Sequence, residues 1–218
     1  MGMNPATLTP RSKRARTMNS SRWMVFVDGE NFTLRAQEFA SAKGVTFRRS
    51  KYYEKDVFCW FPRTDQSRVS RMIFETHFSR YWDAIPVRAH YYTTCQGDDV
   101  KLADIRQRLF DIGFHPEVFK KTQGKSKGVD IMLCKDMLAH AFRDNYDTAV
   151  LVAGDGDYEP LVDEVKRIGK NVIVAFFEDP AAKSGLNPRL KLASDFFVRF
   201  DDRFVEMWNT LGDPDCNS

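Results

Sequence analysis

The stretch TAVLVAGDGD, residues 148–157, decides the fold of this chain. A short apolar run that ends in a glycine-containing turn is typical of a strand buried on both faces of a sheet. Pro160 then falls in the first turn of a helix, where proline is tolerated, and Gly169 is suited to end that helix. The stretch therefore predicts one strand-turn-helix unit of a parallel sheet.

The same pattern recurs along the chain. Residues 23–27 (WMVFV) form another apolar run, which Asp28-Gly29 ends, and Asn31 follows as the predicted N-cap of a helix to about residue 43. Strands alternating with helices predict an α/β fold whose mostly parallel sheet is covered on both faces, with ligands at the carboxyl ends of the strands. The remaining predicted strands cover about 87–93, 114–119, 171–177 and 196–200, and the remaining helices about 66–81, 98–113, 129–143 and 203–211.

The domain organisation follows from length and composition. At 218 residues and 43% hydrophobic, the chain has enough apolar material for one full core, which we place at residues 22–212. Residues 1–21 are predicted to be a flexible basic arm, and residues 213–218 a flexible C-terminus. Residues 44–65 mix aromatic rings with Lys and Arg, which favours either a contact with single-stranded nucleic acid or a lid packed on the core or in a dimer.

Charge and cysteine content exclude several classes of function. The net charge is +3, but residues 1–17 contribute +4, so the rest of the chain carries −1. Contacts with nucleic acid must therefore come from local patches. The chain has no C-x-x-C pair, no apolar signal segment and no transmembrane run, and its four histidines form no metal-ligand spacing. We expect a cytoplasmic protein without membrane partner or structural zinc.

Three carboxylates follow predicted strands at the same edge of the sheet. Asp28 comes after the first strand, and Asp155 and Asp157 follow the strand at residues 148–153. Each alone is explained as a turn or N-cap residue. Together they would cluster, because parallel strands bring their carboxyl ends to one edge, and like charges at short range repel unless a cation joins them.

A fourth carboxylate, Asp130, lies in the first turn of the helix at 129–143. At 100° per residue it lies on the core face of that helix, and its side chain should point back toward the strand ends. Asp136 falls on the polar flank, which predicts a surface or supporting role. The core face itself contains Leu133, Cys134, Met137, Leu138 and Ala141.

Four oxygen donors without His or Cys suit a hard cation, Mg²⁺ or Mn²⁺. Such a centre would hydrolyse a phosphodiester by metal-activated water, with a second ion about 4 Å away at the leaving oxygen. The loop ahead of Asp130 contains Lys121, Lys125 and Lys127, which could bind substrate phosphates, although basic loops are commonly just solvated surface.

Three motifs in order, VDGEN (27–31), KGVD (127–130) and VAGDGDY (152–158), closely resemble those of the NYN domain, the LabA-like or DUF88 branch of the PIN-like nucleases. The likeness covers roughly residues 22–200. It implies a PIN-like three-layer α/β/α sandwich and a metal-dependent nuclease site, most often acting on RNA. It further implies that Asn31 orients substrate or the first acid. Ala153 stands where the family commonly has Ser, which removes one hydroxyl near the site.

The leading hypothesis is a metal-dependent endoribonuclease in which Asp28, Asp130, Asp155 and Asp157 are both catalytic and metal-binding. Its substrate would be single-stranded or structured RNA, with single-stranded DNA and a homodimer left open. The alternative is a catalytically silent module that binds nucleic acid or recruits a partner. A Mg²⁺-dependent phosphatase is disfavoured, because it needs a second Asp two residues after Asp28, and position 30 is Glu.

Overall fold

A central six-stranded sheet forms the frame of the molecule. The computed structural model describes residues 21–48, 50–62, 84–121, 128–178 and 185–209. The strand order is β5-β4-β1-β6-β7-β8, and all five pairings are parallel, while β2 and β3 form a small antiparallel hairpin. The strands are β1 (Ser21–Asp28), β2 (Tyr53–Glu54), β3 (Phe58–Cys59), β4 (Ala84–Cys95), β5 (His115–Lys120), β6 (Thr148–Val152), β7 (Asn171–Phe176) and β8 (Phe196–Arg199).

Helices cover both faces of this sheet. They are α1 (Gly29–Ala42), α2 (Asp99–Asp111), α3 (Val129–Phe142), α4 (Glu159–Arg167), α5 (Pro188–Ala193) and α6 (Asp201–Asn209). The predicted helix at 66–81, residues 1–20 of the predicted N-terminal arm at 1–21 and the segment 213–218 lie outside the described residues, and Ser21, the last residue of that arm, begins β1. None of the described helices combines the length and the apolar character needed to cross a membrane.

The alternation of β1 side chains explains the continuous apolar run in the sequence. Trp23, Val25 and Val27 pack into a core with α1, α2 and α6, whereas Met24 and Phe26 pack into a second core with α3 and α4. A strand at the centre of a parallel sheet faces apolar layers on both sides, so both sets of side chains are buried. This arrangement confirms the predicted three-layer α/β/α sandwich.

One helix boundary was wrong in the sequence interpretation. Helix α1 begins at Gly29 and its N-cap is Asp28, whose carboxylate accepts a hydrogen bond from the backbone nitrogen of Asn31. Asp and Asn are comparably good N-caps, so preference alone does not choose between positions 28 and 31. The strand ends directly in the helix, without the loop that a cap at Asn31 would require.

The described part of the aromatic segment at 44–65 packs on the core. Trp60 is fully buried between Phe32 of α1 and Phe114, with ring centroids 5.3 Å and 4.9 Å away. From α2, Arg108 donates to the carboxylate of Glu54 and lies over the ring of Phe58. These contacts agree with the interpretation of the segment as a lid packed on the core.

The strand order reverses beside β1. The chain passes from β1 outward to β4 and β5, then returns to β6 on the other side of β1. In open parallel sheets ligands bind outside the carboxyl ends of strands at such a reversal. We therefore expect the functional site at the residues that follow β1 and β6.

Candidate active site

Asp28 is a buried carboxylate at the carboxyl end of β1. Asp28 is only 4% exposed, and its carboxylate accepts two hydrogen bonds. The backbone nitrogen of Asn31 lies 3.0 Å from Oδ1, and the hydroxyl of Tyr158 lies 2.9 Å from Oδ2. Because one donor comes from α1 and the other from the turn before α4, the two elements that leave β1 and β6 fix this carboxylate.

Tyr158 also connects Asp28 to Asp130. The same hydroxyl lies 3.2 Å from Oδ1 of Asp130 in the first turn of α3. The sequence interpretation placed Asp130 on the buried face of its helix, but the residue is exposed. It lies in the first helical turn, and no preceding turn of α3 covers it, whereas Leu133 and Met137 further along the same stripe are buried.

The carboxylates at this edge oppose one another's ionisation. The pKa of Asp28 is raised to about 7: burial is the largest cause, the charges of Asp130 and Glu30 act in the same direction, and its two hydrogen bonds act in the opposite direction. Although Asp130 is exposed as a residue, partial desolvation of its carboxylate raises its pKa, and the charges of Asp155, Glu30 and Asp157 add to that rise. Crowded acids of this kind are stabilised by a bound cation.

The loop after β6 holds Asp155 and Asp157. Both residues are exposed, and Oδ1 of Asp155 accepts a hydrogen bond of 3.0 Å from the backbone nitrogen of Asp157. The backbone nitrogen of Gly154 donates to Oδ1 of Asn31 at 2.9 Å, which ties this loop to the start of α1. Asn31 thus holds the loop after β6 beside the start of α1.

The four aspartates surround one region without converging tightly. Among the described residues, no three of their carboxylate groups have oxygens that all lie within 4.8 Å of one another. The aspartates nevertheless interact. The hydroxyl of Tyr158 bridges the carboxylates of Asp28 and Asp130, and the charges of Asp155 and Asp157 raise the pKa of Asp130. The set is an oxygen-only donor group, which matches the chemistry of Mg²⁺ or Mn²⁺.

Two residues of this site were not assigned a role from sequence. Glu30, in the first turn of α1, accepts a hydrogen bond of 3.2 Å from the hydroxyl of Thr94 and lies 3.1 Å from the ammonium of Lys121. Tyr158 links Asp28 and Asp130, as described above. Both residues lie within the quoted motifs, so motif membership was the available signal.

The remaining residues predicted for the site are Lys121, Lys125, Lys127 and Asp136. Lys121 is half-exposed and forms an ion pair with Glu30. Lys125 and Lys127 lie outside the described residues. Asp136 is turned toward β4, where it accepts a hydrogen bond of 3.1 Å from the hydroxyl of Tyr92, and it lies 3.6 Å from the ammonium of Lys135.

A separate group of side chains could hold a metal ion. His90, His115 and Glu117 each offer a ligand atom, and these atoms all lie within 4.8 Å of one another. The pKa of His90 is lowered to about 3, mainly by burial, and the charges of His115, His140 and Arg88 act in the same direction, which favours the neutral imidazole. The sequence interpretation found no metal-ligand spacing among the histidines, because the pairing of β4 with β5 brings together residues that are 25 positions apart.

The chain is thus an α/β sandwich with carboxylates at its strand-order reversal. The model of the NYN domain family matches residues 22–201, so this chain belongs to the NYN family. Proteins with this domain are generally nucleases, which supports a nucleic-acid substrate and a hydrolase at that coarse level.

Structural similarity adds support for the fold. A crystal structure of a protein of unknown function from Vibrio parahaemolyticus is similar, with a TM-score of 0.57 and 19% identity, over 86% of this chain and 98% of that chain. At this identity the likeness concerns the fold alone. A comparison with curated proteins finds no match.

Proposed function

We propose that this protein is a divalent-metal-dependent nuclease that hydrolyses phosphodiester bonds in RNA, as an endoribonuclease on single-stranded or structured substrates. The observation that carries the proposal is the buried Asp28 carboxylate, which Asp130 and Glu30 crowd at the strand-order reversal. A hard cation, Mg²⁺ or Mn²⁺, would relieve that repulsion. The family supports a nuclease in general terms, and the RNA substrate is part of the proposal.

The metal would be held by Asp28, Asp130, Asp155 and Asp157. When bound, a divalent ion supplies activation of the attacking water and neutralisation of charge on the phosphate. Asn31 and Tyr158 would keep Asp28 in one orientation through the hydrogen bonds described above. Such pre-positioning lowers the reorganisation needed at the moment of reaction.

Binding of the negatively charged substrate would be the task of basic residues beside the acids. Lys121 pairs with Glu30 at the edge of the site, and Lys125 and Lys127 follow in the same loop of the sequence. Lysines bind phosphates without reading sequence, so this loop would position the backbone of the nucleic acid. Asn31 would assist through its contact with the Gly154 loop, and Asp136 would have a supporting role through Tyr92.

The cellular setting is proposed on composition. We expect the protein to act in the cytoplasm, and Cys59, Cys95 and Cys134 are free thiols in the structure. Single-stranded DNA is a second substrate to be tested, and a homodimer is the simplest assembly to look for.

The test is cleavage of a labelled RNA panel and a single-stranded DNA control in Mg²⁺, Mn²⁺ or EDTA, by the native protein and by the Asp155→Asn variant. We expect metal-dependent cleavage of RNA that EDTA abolishes and that the variant loses. Asp155 is exposed, so the variant should fold. RNA binding without cleavage, equally tight in the variant, would contradict the proposal and favour a silent binding module.

A further inference from the structure

The face of the sheet beneath α3 contains a buried histidine without hydrogen bonds. His90 is 3% exposed, and neither of its ring nitrogens has a hydrogen-bond partner among the described residues. The imidazole stacks on Phe26 at a centroid distance of 5.6 Å and an interplanar angle of 5°, so its plane is fixed. Burying an unsatisfied polar group costs free energy, and such a group in a folded protein calls for an explanation such as a bound ion or water.

Strand pairing places two further metal-ligating side chains beside His90. In the parallel register His90 lies opposite His115, and Glu117 follows two residues later on the same face of β5. Nε2 of His115 and Oε1 of Glu117 are 3.8 Å apart, and their ligand atoms lie within 4.8 Å of a ring nitrogen of His90. Zinc-bound nitrogens and oxygens lie about 2.0–2.2 Å from the ion. Modest rotations of the solvent-accessible side chains of His115 and Glu117 would bring all three ligand atoms to that distance from one ion.

The chemistry of this set differs from that of the aspartates. Imidazole suits zinc and other first-row transition ions, whereas Mg²⁺ prefers oxygen ligands and retains its waters. The side chain of His115 is 51% exposed, which leaves a solvent-facing side for a fourth ligand. His140 forms the adjoining wall, with its ring centroid 5.5 Å from that of His90 and its Nδ1 2.8 Å from Nδ2 of Asn145.

We propose that His90, His115 and Glu117 form a binding site for Zn²⁺ that fastens the edge strand β5 to β4. The site is separate from the acidic one, because β1 and β4 pair so that Asp28 lies opposite Tyr92, which is two residues, about 7 Å, further along β4 than His90. That separation exceeds the roughly 3.5–4 Å of a two-metal catalytic centre, which points to a structural role. The inference rests on these contacts and is independent of the proposed nuclease activity.

The test is titration of Zn²⁺ into the full chain after chelator treatment, followed by calorimetry and thermal unfolding. The variants are His115→Ala and Glu117→Gln, both at solvent-accessible side chains, so folding should be retained. We expect one tightly bound Zn²⁺ per chain and a Tm that rises with free zinc. Each variant should weaken binding by at least the roughly 10–100-fold lost when an outer partner of a zinc ligand is removed.

Two control variants separate this site from other acids and from the active site. Asp163→Asn removes an exposed carboxylate from α4, and Asp155→Asn removes one from the acidic site; neither should change zinc affinity. Replacement by Co²⁺ should give a spectrum without thiolate-to-metal charge transfer, which excludes Cys134 as a ligand. Absence of zinc binding, or binding unchanged in both His115→Ala and Glu117→Gln, would overturn the proposal.

Discussion

Asp28 shows at the level of a single residue how this site departs from the rules of stable folding. A carboxylate at a position 4% exposed is costly, and two hydrogen bonds do not restore its ordinary pKa. Such departures are expected at functional sites, where the same group serves binding or catalysis. The metal-free protein should therefore be destabilised by the ionised form of Asp28.

This cost predicts a pH-dependent effect of Asp28→Asn. In the folded protein the pKa of Asp28 rises from 3.8 to about 7, so between these values the folded state holds a proton that the unfolded state has lost. Stability contributed by this group therefore falls as pH rises from about 4 to about 7, by an upper limit of about 4 kcal/mol. Asn also caps helices through its Oδ1, and its Nδ2 can donate to the hydroxyl of Tyr158, so the variant should keep the fold without this loss.

The measurement is thermal unfolding in EDTA from pH 4 to pH 8. We expect the Tm of the variant minus that of the native protein to be smallest near pH 4 and to grow until about pH 7. Asp136→Asn provides the control, because it removes a carboxylate of the same region that contacts Tyr92. A difference that stays constant or shrinks with rising pH would contradict the assignment of the raised pKa to Asp28.

The loop after β6 is the element that sets the position of Asp155. A Cβ on Gly154 would lie 2.3 Å from Cε1 of the buried Phe176 ring, whereas a Cβ on Gly156 would meet the side-chain amide of the partly exposed Asn187. A packed ring cannot move aside as a surface amide can. Gly154 is therefore required by packing, and Gly156 much less so.

We predict that Gly154→Ala destabilises the protein by about 1–3 kcal/mol, the usual cost of overpacking. The same substitution should also weaken metal binding, because the backbone nitrogen of residue 154 anchors the loop to Asn31. Gly156→Ala should cost less, at most the roughly 1 kcal/mol of a disturbed helix cap at Asn187. Urea unfolding of both variants measures the two losses of stability. An equal loss in the two variants, or a larger loss in Gly156→Ala, would show that the Phe176 ring moves to accept the added methyl group and would contradict the prediction.

At the scale of the whole molecule, the sequence predicts layers better than contacts. The run at residues 23–27 and the stretch at 148–153 were interpretable because a central parallel strand buries both faces, and that pattern is local. The start of α1 and the exposure of Asp130 depend on how elements meet. The grouping of His90 with His115 depends on strand register, which linear spacing does not reveal.

The topology also explains why the acids could be predicted as a set. Asp28 and Asp155 follow β1 and β6, which pair with each other, so alternation of strands and helices was enough to expect proximity. The link through Tyr158 and the contribution of Glu30 were not predictable in this way. They arise from side chains on helical segments, whose direction depends on how α1 and the turn before α4 pack against the sheet.

Single-turnover cleavage of labelled RNA in Mn²⁺ by Asp130→Asn and Asp136→Asn tests the central claim most directly. The two aspartates lie on α3, one beside Tyr158 and the acidic site and the other beside Tyr92, so the variants form a matched pair. We predict that Asp130→Asn lowers the cleavage rate by at least about 100-fold, the scale of losing one electrostatic catalytic group, while Asp136→Asn changes it only a few-fold. Equal rates in the two variants would contradict the account.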